Sequence, residues 1–309
     1  MDFVIGAVAA MGAALFTNPL EVAKTRMQLQ GELLAKGNYT IHYKNAAHAL
    51  YIIAKNEGLS ATQKGLAPSL WVQFFLNGIR LGTFQFAHSH GFMSDEEGKQ
   101  VLWKTMSISC IGSVLGGASA SPFFLVKARL QAQSTSDVSV GYQHNETGMM
   151  SSLQNIYKDH GVKGLFRGLD ASISRLAAAG TAQLTTFTVV RDWMVSEQLL
   201  TKHPIAQSFC ASMVSGVAVS VVMTPFDVIS TRIYNQGVDS SGRGMSYNGY
   251  FDCVVKTWRK ERLYGFFKGL GANYLRLGPH TVLCLVFWDE LNKFYIKFNE
   301  IKKFVAIIS

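Results

Sequence analysis

The stretch Pro19-Leu20-Glu21-Val22-Ala23-Lys24-Thr25-Arg26-Met27-Gln28 returns twice in this chain with most of its chemistry kept. The copies are Pro122-Phe123-Phe124-Leu125-Val126-Lys127-Ala128-Arg129-Leu130-Gln131 and Pro225-Phe226-Asp227-Val228-Ile229-Ser230-Thr231-Arg232-Ile233-Tyr234. The prolines stand 103 residues apart in both intervals, so the 309 residues divide into three tandem units, 1–98, 99–202 and 203–309. A second element keeps the register: Glu57-Gly58 before Lys64-Gly65, Gly161 before Phe166-Arg167-Gly168, and Tyr264-Gly265 before Phe267-Lys268-Gly269.

Each proline ends a run without charge, Phe3 to Leu20, Thr105 to Val126 and Ile205 to Phe226, of 18, 22 and 22 residues. At about 1.5 Å per residue such runs span roughly 30 Å of hydrocarbon. After each basic-glycine pair comes a second apolar segment, near 66–88, 169–191 and 270–293, interrupted by an arginine. The repeat therefore predicts helix, polar connection and helix, and the fold class is an all-α membrane protein of six spans with threefold pseudosymmetry. Pro19, Pro122 and Pro225 predict kinks in the odd helices, tolerable where neighbouring helices cover the break. Small residues four apart, Gly6 with Ala10, Ser109 with Ser113, Ser212 with Gly216 and Gly78 with Gly82, let helices approach closely. A single such unit cannot bury its interior face alone, so the three repeats form one domain.

Hydrophobic residues make up 48% of the chain and charged ones 16%, a membrane composition. The net charge of +9 is spread among apolar helices, which excludes a nucleic-acid surface. Cys110, Cys210, Cys253 and Cys284 have no metal-ligand or disulfide-framework spacing. Neither a metal site, a cofactor nor a catalytic residue is predicted, and no nucleophile-base pair supports an enzyme. No cleavable presequence is read before the first span, so targeting is expected to be internal. The connections after the odd helices carry thirteen Lys and Arg against six on the other side, which places the long connections on the positive-inside face. Tyr43 to Glu57 and Tyr250 to Arg262 read as short amphipathic helices on that face, stopped by glycine.

The threefold motif of proline, acid, base, base and glutamine, with its aromatic-basic-glycine partner, resembles the mitochondrial carrier family (solute carrier family 25) from about Phe3 to Lys293. Within it, Arg175, Arg276 and Phe287-Trp288-Asp289-Glu290-Leu291 are most similar to the branch that includes fungal oxaloacetate carriers. The resemblance implies a monomeric multi-pass carrier of the mitochondrial inner membrane, with matrix-facing long connections and both termini towards the intermembrane space. It also implies cardiolipin at the glycine elements, with Gln63 replacing the expected aromatic in the first. It pairs the acid of each odd helix with the base of the next, giving a matrix gate of Glu21 with Lys127 and Asp227 with Lys24, alongside Gln28 and Gln131. The third pair would be Phe124 with Ser230, and both charges are missing together. On the other side the matching ring falls on Gln85, Thr188 and Asp289 as acceptors and His88, Arg191 and Asn292 as donors, with Asp289 to His88 as its ionic pair.

The substrate reading rests on three arginines of the even helices. Arg175 and Arg276 lie seven residues past their repeat glycines, at positions matching the family's contact points, where the first repeat has Val72. Arg80, eight residues on, shares the helix face of Val72 about two turns deeper. No acidic partner is evident near these arginines, so an anion is expected there. Gln73 and Asn77 would add hydrogen bonds. The expected substrate is a small dicarboxylate or keto acid such as oxaloacetate, with sulfate in the same class, moved by exchange. An uncoupling-type proton or anion leak is the alternative.

Overall fold

The computed structural model describes residues 2–35, 37–94, 101–199, 204–239 and 242–308. Lys36, Lys99 and Lys202, which count in the charge asymmetry, lie outside the described residues, as does the side chain of Ser212. Nine α-helices account for the described architecture. The odd-numbered spans of the repeats are α1 (Asp2–Leu29), α4 (Leu102–Ala132) and α7 (Pro204–Asn235). The surface helices are α2 (Ala46–Glu57), α5 (Met149–Leu165) and α8 (Tyr250–Phe266), and the even spans are α3 (Leu66–Ser89), α6 (Leu169–Ser196) and α9 (Leu270–Ile308).

Among the described residues three helices, Val4–Leu29, Trp103–Ala132 and Met213–Asn235, are long and apolar enough to cross a membrane. The even spans have 24, 28 and 39 residues, long enough at about 1.5 Å each, but carry arginines and amides that lower their hydropathy. The last even span also runs well past the expected residue 293, because no glycine or proline interrupts the chain after Pro279. The six long helices close into a ring in which α3 joins α1 to α4, α6 joins α4 to α7, and α9 joins α7 to α1. Inside it α1, α4 and α7 also touch one another, and that convergence builds the gate.

All three odd helices continue through Pro19, Pro122 and Pro225. Proline frees the carbonyl four residues earlier. At Pro19 that carbonyl, Leu15 O, accepts from Gln63 Nε2 at 3.1 Å, while Gln63 Oε1 accepts from Asn18 Nδ2 at 3.2 Å. The departure from an aromatic at 63 thus closes the backbone accounting of the first odd helix.

Gly65, Gly168 and Gly269 start the even helices with φ of 70°, 77° and 76°, a left-handed turn that glycine enters without steric cost. A Cβ on Gly65 would also meet Gln131 Cγ at 2.9 Å and Lys127 O at 3.2 Å, so the even helix can start against α4 only with glycine there. The first glycine of each element needs a correction. Gly58 and Gly161 have φ of 85° and 62°, and the third residue in this conformation is Arg262 at 56°, not Gly265. Arg262 lies seven residues before Gly269, as Gly58 and Gly161 do before theirs. Register follows backbone conformation, and the glycine at 265 hid it.

Candidate functional site

The odd helices bring their acids and bases together where they converge. Lys127 Nζ is 2.5 Å from Glu21 Oε2, and Lys24 Nζ is 2.5 Å from Asp227 Oδ2. Glu21 also accepts from Ser69 Oγ at 3.1 Å, and Asp227 from Gln28 Nε2 at 3.0 Å. Gln28 Oε1 accepts from Thr231 at 2.9 Å. Gln131 fills the equivalent position in the second repeat, accepting from Thr25 at 2.9 Å and donating to Asn18 Oδ1 at 3.2 Å. Glu21, Lys24 and Asp227 are buried and Lys127 is partly so, and each charge rests chiefly on its partners.

The third side of this gate is not a gap. Tyr234, in the register position of Gln28 and Gln131, lies parallel to Phe124 at 6.4 Å between ring centroids, and its hydroxyl meets Ser172 Oγ and Gly168 O. The Arg175 guanidinium sits over the Phe124 ring of this stack, 4.5 Å from its centroid. Ser230 turns its hydroxyl to the carbonyls of Ala171 and Phe226. An aromatic pair with a cation on it closes the side that lost its ions.

The arginines correct a second expectation, because two of them have acidic partners. Arg276 Nη1 donates to Glu21 Oε1 at 3.1 Å, and Arg175 Nη1 is 3.6 Å from Asp227 Oδ1. Sequence proximity could not reveal this, since the acids come from odd helices 255 and 52 residues away. Each carboxylate is shared between one gate lysine and one arginine. Two acids against Lys24, Lys127, Arg175 and Arg276 leave the cluster at +2. Arg175 Nε and Nη2 and Arg276 Nε remain buried without a partner among the described residues. The cavity among these groups is about 60 Å³ and opens on one side.

The remaining candidates lie elsewhere. Asn77 Nδ2 donates to Gln73 Oε1 at 2.8 Å on the same helix, and neither lines this cavity. Arg80 is exposed and also outside the cavity lining. Gln85, His88, Arg191 and Asp289 are all exposed. Asp289 does not pair with His88; it is held by Lys293 on its own helix at 2.6 Å. The reason is the conformation, in which α3, α6 and α9 pack on odd helices but not substantially on one another, leaving that end open.

Sequence reasoning missed a second set of charges, at the closed end of the helices. Arg26, fully buried, donates to both oxygens of Glu57, which also takes Lys64 at 2.7 Å. Arg232, equally buried, donates to Glu261 at 2.6 and 2.8 Å, and Lys268 joins at 2.6 Å. Burial alone would raise the Glu57 and Glu261 carboxyls, but hydrogen bonds from the arginine and then the lysine outweigh it and hold both below the usual range. In the middle repeat His160 stands in the acid's register position, and Arg129 turns to Glu146 at 3.4 Å. The signal was present in the sequence as the second base of each motif.

A ring of six long helices from three repeats, closed at one end by shared ion pairs and open at the other, defines a multi-pass membrane transport protein. The family profile described as mitochondrial carrier protein matches residues 1–94, 98–198 and 201–299, and the chain belongs to that family. It is 46% identical to solute carrier family 25 member 35 of Mus musculus, over 96% of this chain and 98% of that one. It is 40% identical to the mitochondrial oxaloacetate transport protein of Saccharomyces cerevisiae, covering 94% and 89%. With the mitochondrial citrate transporter E of Aspergillus niger it shares 34% identity, covering 94% and 92%. Membership makes this a multi-pass protein of the mitochondrial inner membrane that transports small metabolites.

Proposed function

We propose that the protein exchanges small dianionic metabolites, dicarboxylates or keto acids such as oxaloacetate with sulfate in the same charge class, by alternating access around Arg175 and Arg276. The observation that carries this reading is the sharing of each gate carboxylate between a lysine and a substrate arginine, which leaves the cluster two charges positive. A dianion balances that excess and takes the unpartnered guanidinium hydrogens, as bidentate forks favour. A dianion on these guanidiniums competes with Glu21 and Asp227 for them, so binding draws the arginines from both acids. Opening of the empty carrier breaks two lysine contacts and two arginine contacts; opening of the loaded one breaks the lysine contacts alone. This differential is what a ligand needs to shift a conformational equilibrium, and it favours exchange over leak.

Both termini face the intermembrane space in this reading, and the carrier acts as a monomer without a cofactor. In the same reading cardiolipin takes the groove of about 520 Å³ between repeats two and three, lined by Arg167, Arg243, Asp170 and the glycines that precede α6 and α8, Gly168 and Gly249. Flux in liposomes tests the function. Uptake of labelled dicarboxylate that requires internal dicarboxylate supports exchange; fatty-acid-activated proton current without exchange would establish the uncoupling-type leak instead. A thermal-stability screen against metabolite anions narrows the substrate, because a ligand of the folded state raises its apparent stability.

A further inference from the structure

Two rungs join α1 to α9 on the open side of the gate. In the lower one Arg276 donates to Glu21, and in the upper one His280 Nδ1 is 3.1 Å from Thr17 Oγ1. His280 and Thr17 each stand one helical turn from their partners below, farther from the closed gate. The Thr17 hydroxyl hydrogen goes to Ala13 O at 3.0 Å, so the imidazole donates through Nδ1. Nε2 is then the ring's free polar atom. It makes no hydrogen bond to the described residues and, unlike Arg276 Nε one turn below, it is not sealed from solvent.

The other polar groups of the site lie one turn below. Arg175, Arg276, Lys24 and Lys127 offer hydrogens only, and the oxygens of Glu21 and Asp227 are taken by them. His280 is outside the lining of the cavity itself and stands one turn above Arg276 on the open side, where the carbon chain of a dianion held by the arginines would extend. One helical turn is about 5.4 Å, which matches a carboxylate on Arg276 with an oxygen on the adjacent carbon reaching the imidazole. We propose that His280 Nε2 reads the oxygen next to the Arg276-bound carboxylate, so that this carrier selects 2-oxygenated dicarboxylates over unsubstituted ones. The inference rests on the dianion reading above. Neutral imidazole accepts from a 2-hydroxyl, and protonated imidazole donates to a 2-keto oxygen.

The test is initial exchange of labelled L-malate, oxaloacetate and succinate by the full chain in liposomes. Wild-type apparent KM for malate is expected about fivefold or more below that for succinate, the discrimination one well-placed hydrogen bond supplies. His280→Ala brings that ratio towards one. His280→Asn does the same, because its amide reaches Thr17 but not the position of Nε2. His280→Gln reaches that position and recovers some of the preference. Equal KM for all three substrates in the wild type, or an unchanged ratio in His280→Ala, overturns the role of His280. Exchange of none of the three overturns the dianion reading itself.

Discussion

Replacing Phe124 by leucine should loosen the uncharged side of the matrix gate. The ring is 8% exposed, lies 2° from parallel to Tyr234, and carries Arg175 4.5 Å above its centroid. Leucine keeps most of the apolar volume and loses the π face. The centroid distance of 6.4 Å is towards the far end of productive stacking, so the aromatic pair contributes about 0.5 kcal/mol. The cation over the ring adds about 0.5–1.5 kcal/mol. Together that is about 1–2 kcal/mol, a shift of roughly five- to thirtyfold in the balance between closed and open matrix gates. The assay is a double-mutant cycle of Phe124→Leu and Tyr234→Leu, read as the thermal midpoint of purified protein and as initial exchange rate. The two changes should be less than additive, since either one removes the stack. Strict additivity in both readouts would refute the stack as the closure of this side. Phe124→Asp with Ser230→Lys rebuilds the missing ion pair, and the pair should be more stable than either single change. An aspartate at 124 also stands beneath Arg175, so Phe124→Asp alone should raise the KM for substrate by holding that guanidinium; an unchanged KM would show that Arg175 does not bind it.

Arg175→Ala and Arg276→Ala should each abolish exchange while the protein stays folded, and lysine at either position should rescue poorly because it lacks the fork; wild-type rates in both alanine variants would remove the proposed site. Arg262→Gly should raise stability by about 1 kcal/mol, since φ of 56° with ψ of −154° is a region that strains every side chain, and a lowered thermal midpoint would count against that strain. Glu57 and Glu261 have lowered carboxyl pKa values when folded, so their contribution is present above the unfolded carboxylate range near 4 and is lost as pH falls through the folded values. Glu261→Gln should flatten that acid limb in a thermal-midpoint profile against pH, and a profile identical to wild type would reject the linkage. An N-terminal tag should be cut by protease in mitochondria with ruptured outer and intact inner membranes; protection would reverse the proposed orientation.

The sequence displays what is local or periodic. A charge-free run of 22 residues, a proline every 103 residues and a base three residues after an acid are visible without coordinates, and they suffice for the helices and the gate positions. What stays hidden is which distant groups share a partner. Arg276 meets Glu21 across 255 positions, and neither the spacing nor the residue types announce it. Arg26 and Arg232 look like the second base of a motif until burial shows that their acids, Glu57 and Glu261, end the surface helices. Tyr234 reads as a lost glutamine, although it replaces an amide brace with a ring that Phe124 can stack on. The open end stays undecided in the sequence, because a single chain of letters does not say which of two conformations brings Asp289 and His88 together.

The departures from threefold symmetry have a common physical logic. Where the repeat loses an interaction, another residue of the same region takes it over. The lost pair at 124 and 230 becomes a stack, the lost acid at 160 is replaced by Glu146, and the lost aromatic at 63 becomes the ligand of a proline-freed carbonyl. Such pairings keep the scaffold closed, so they do not by themselves soften the gate. The contact positions behave differently, because Val72, a buried apolar residue, stands where Arg175 and Arg276 stand. A threefold ring of arginines would present three equivalent cations to a substrate with two anionic ends. Two arginines and an apolar third position fit a dianion with an uncharged middle, and His280, one turn above Arg276, then falls where a substituent on that middle would have to be recognised.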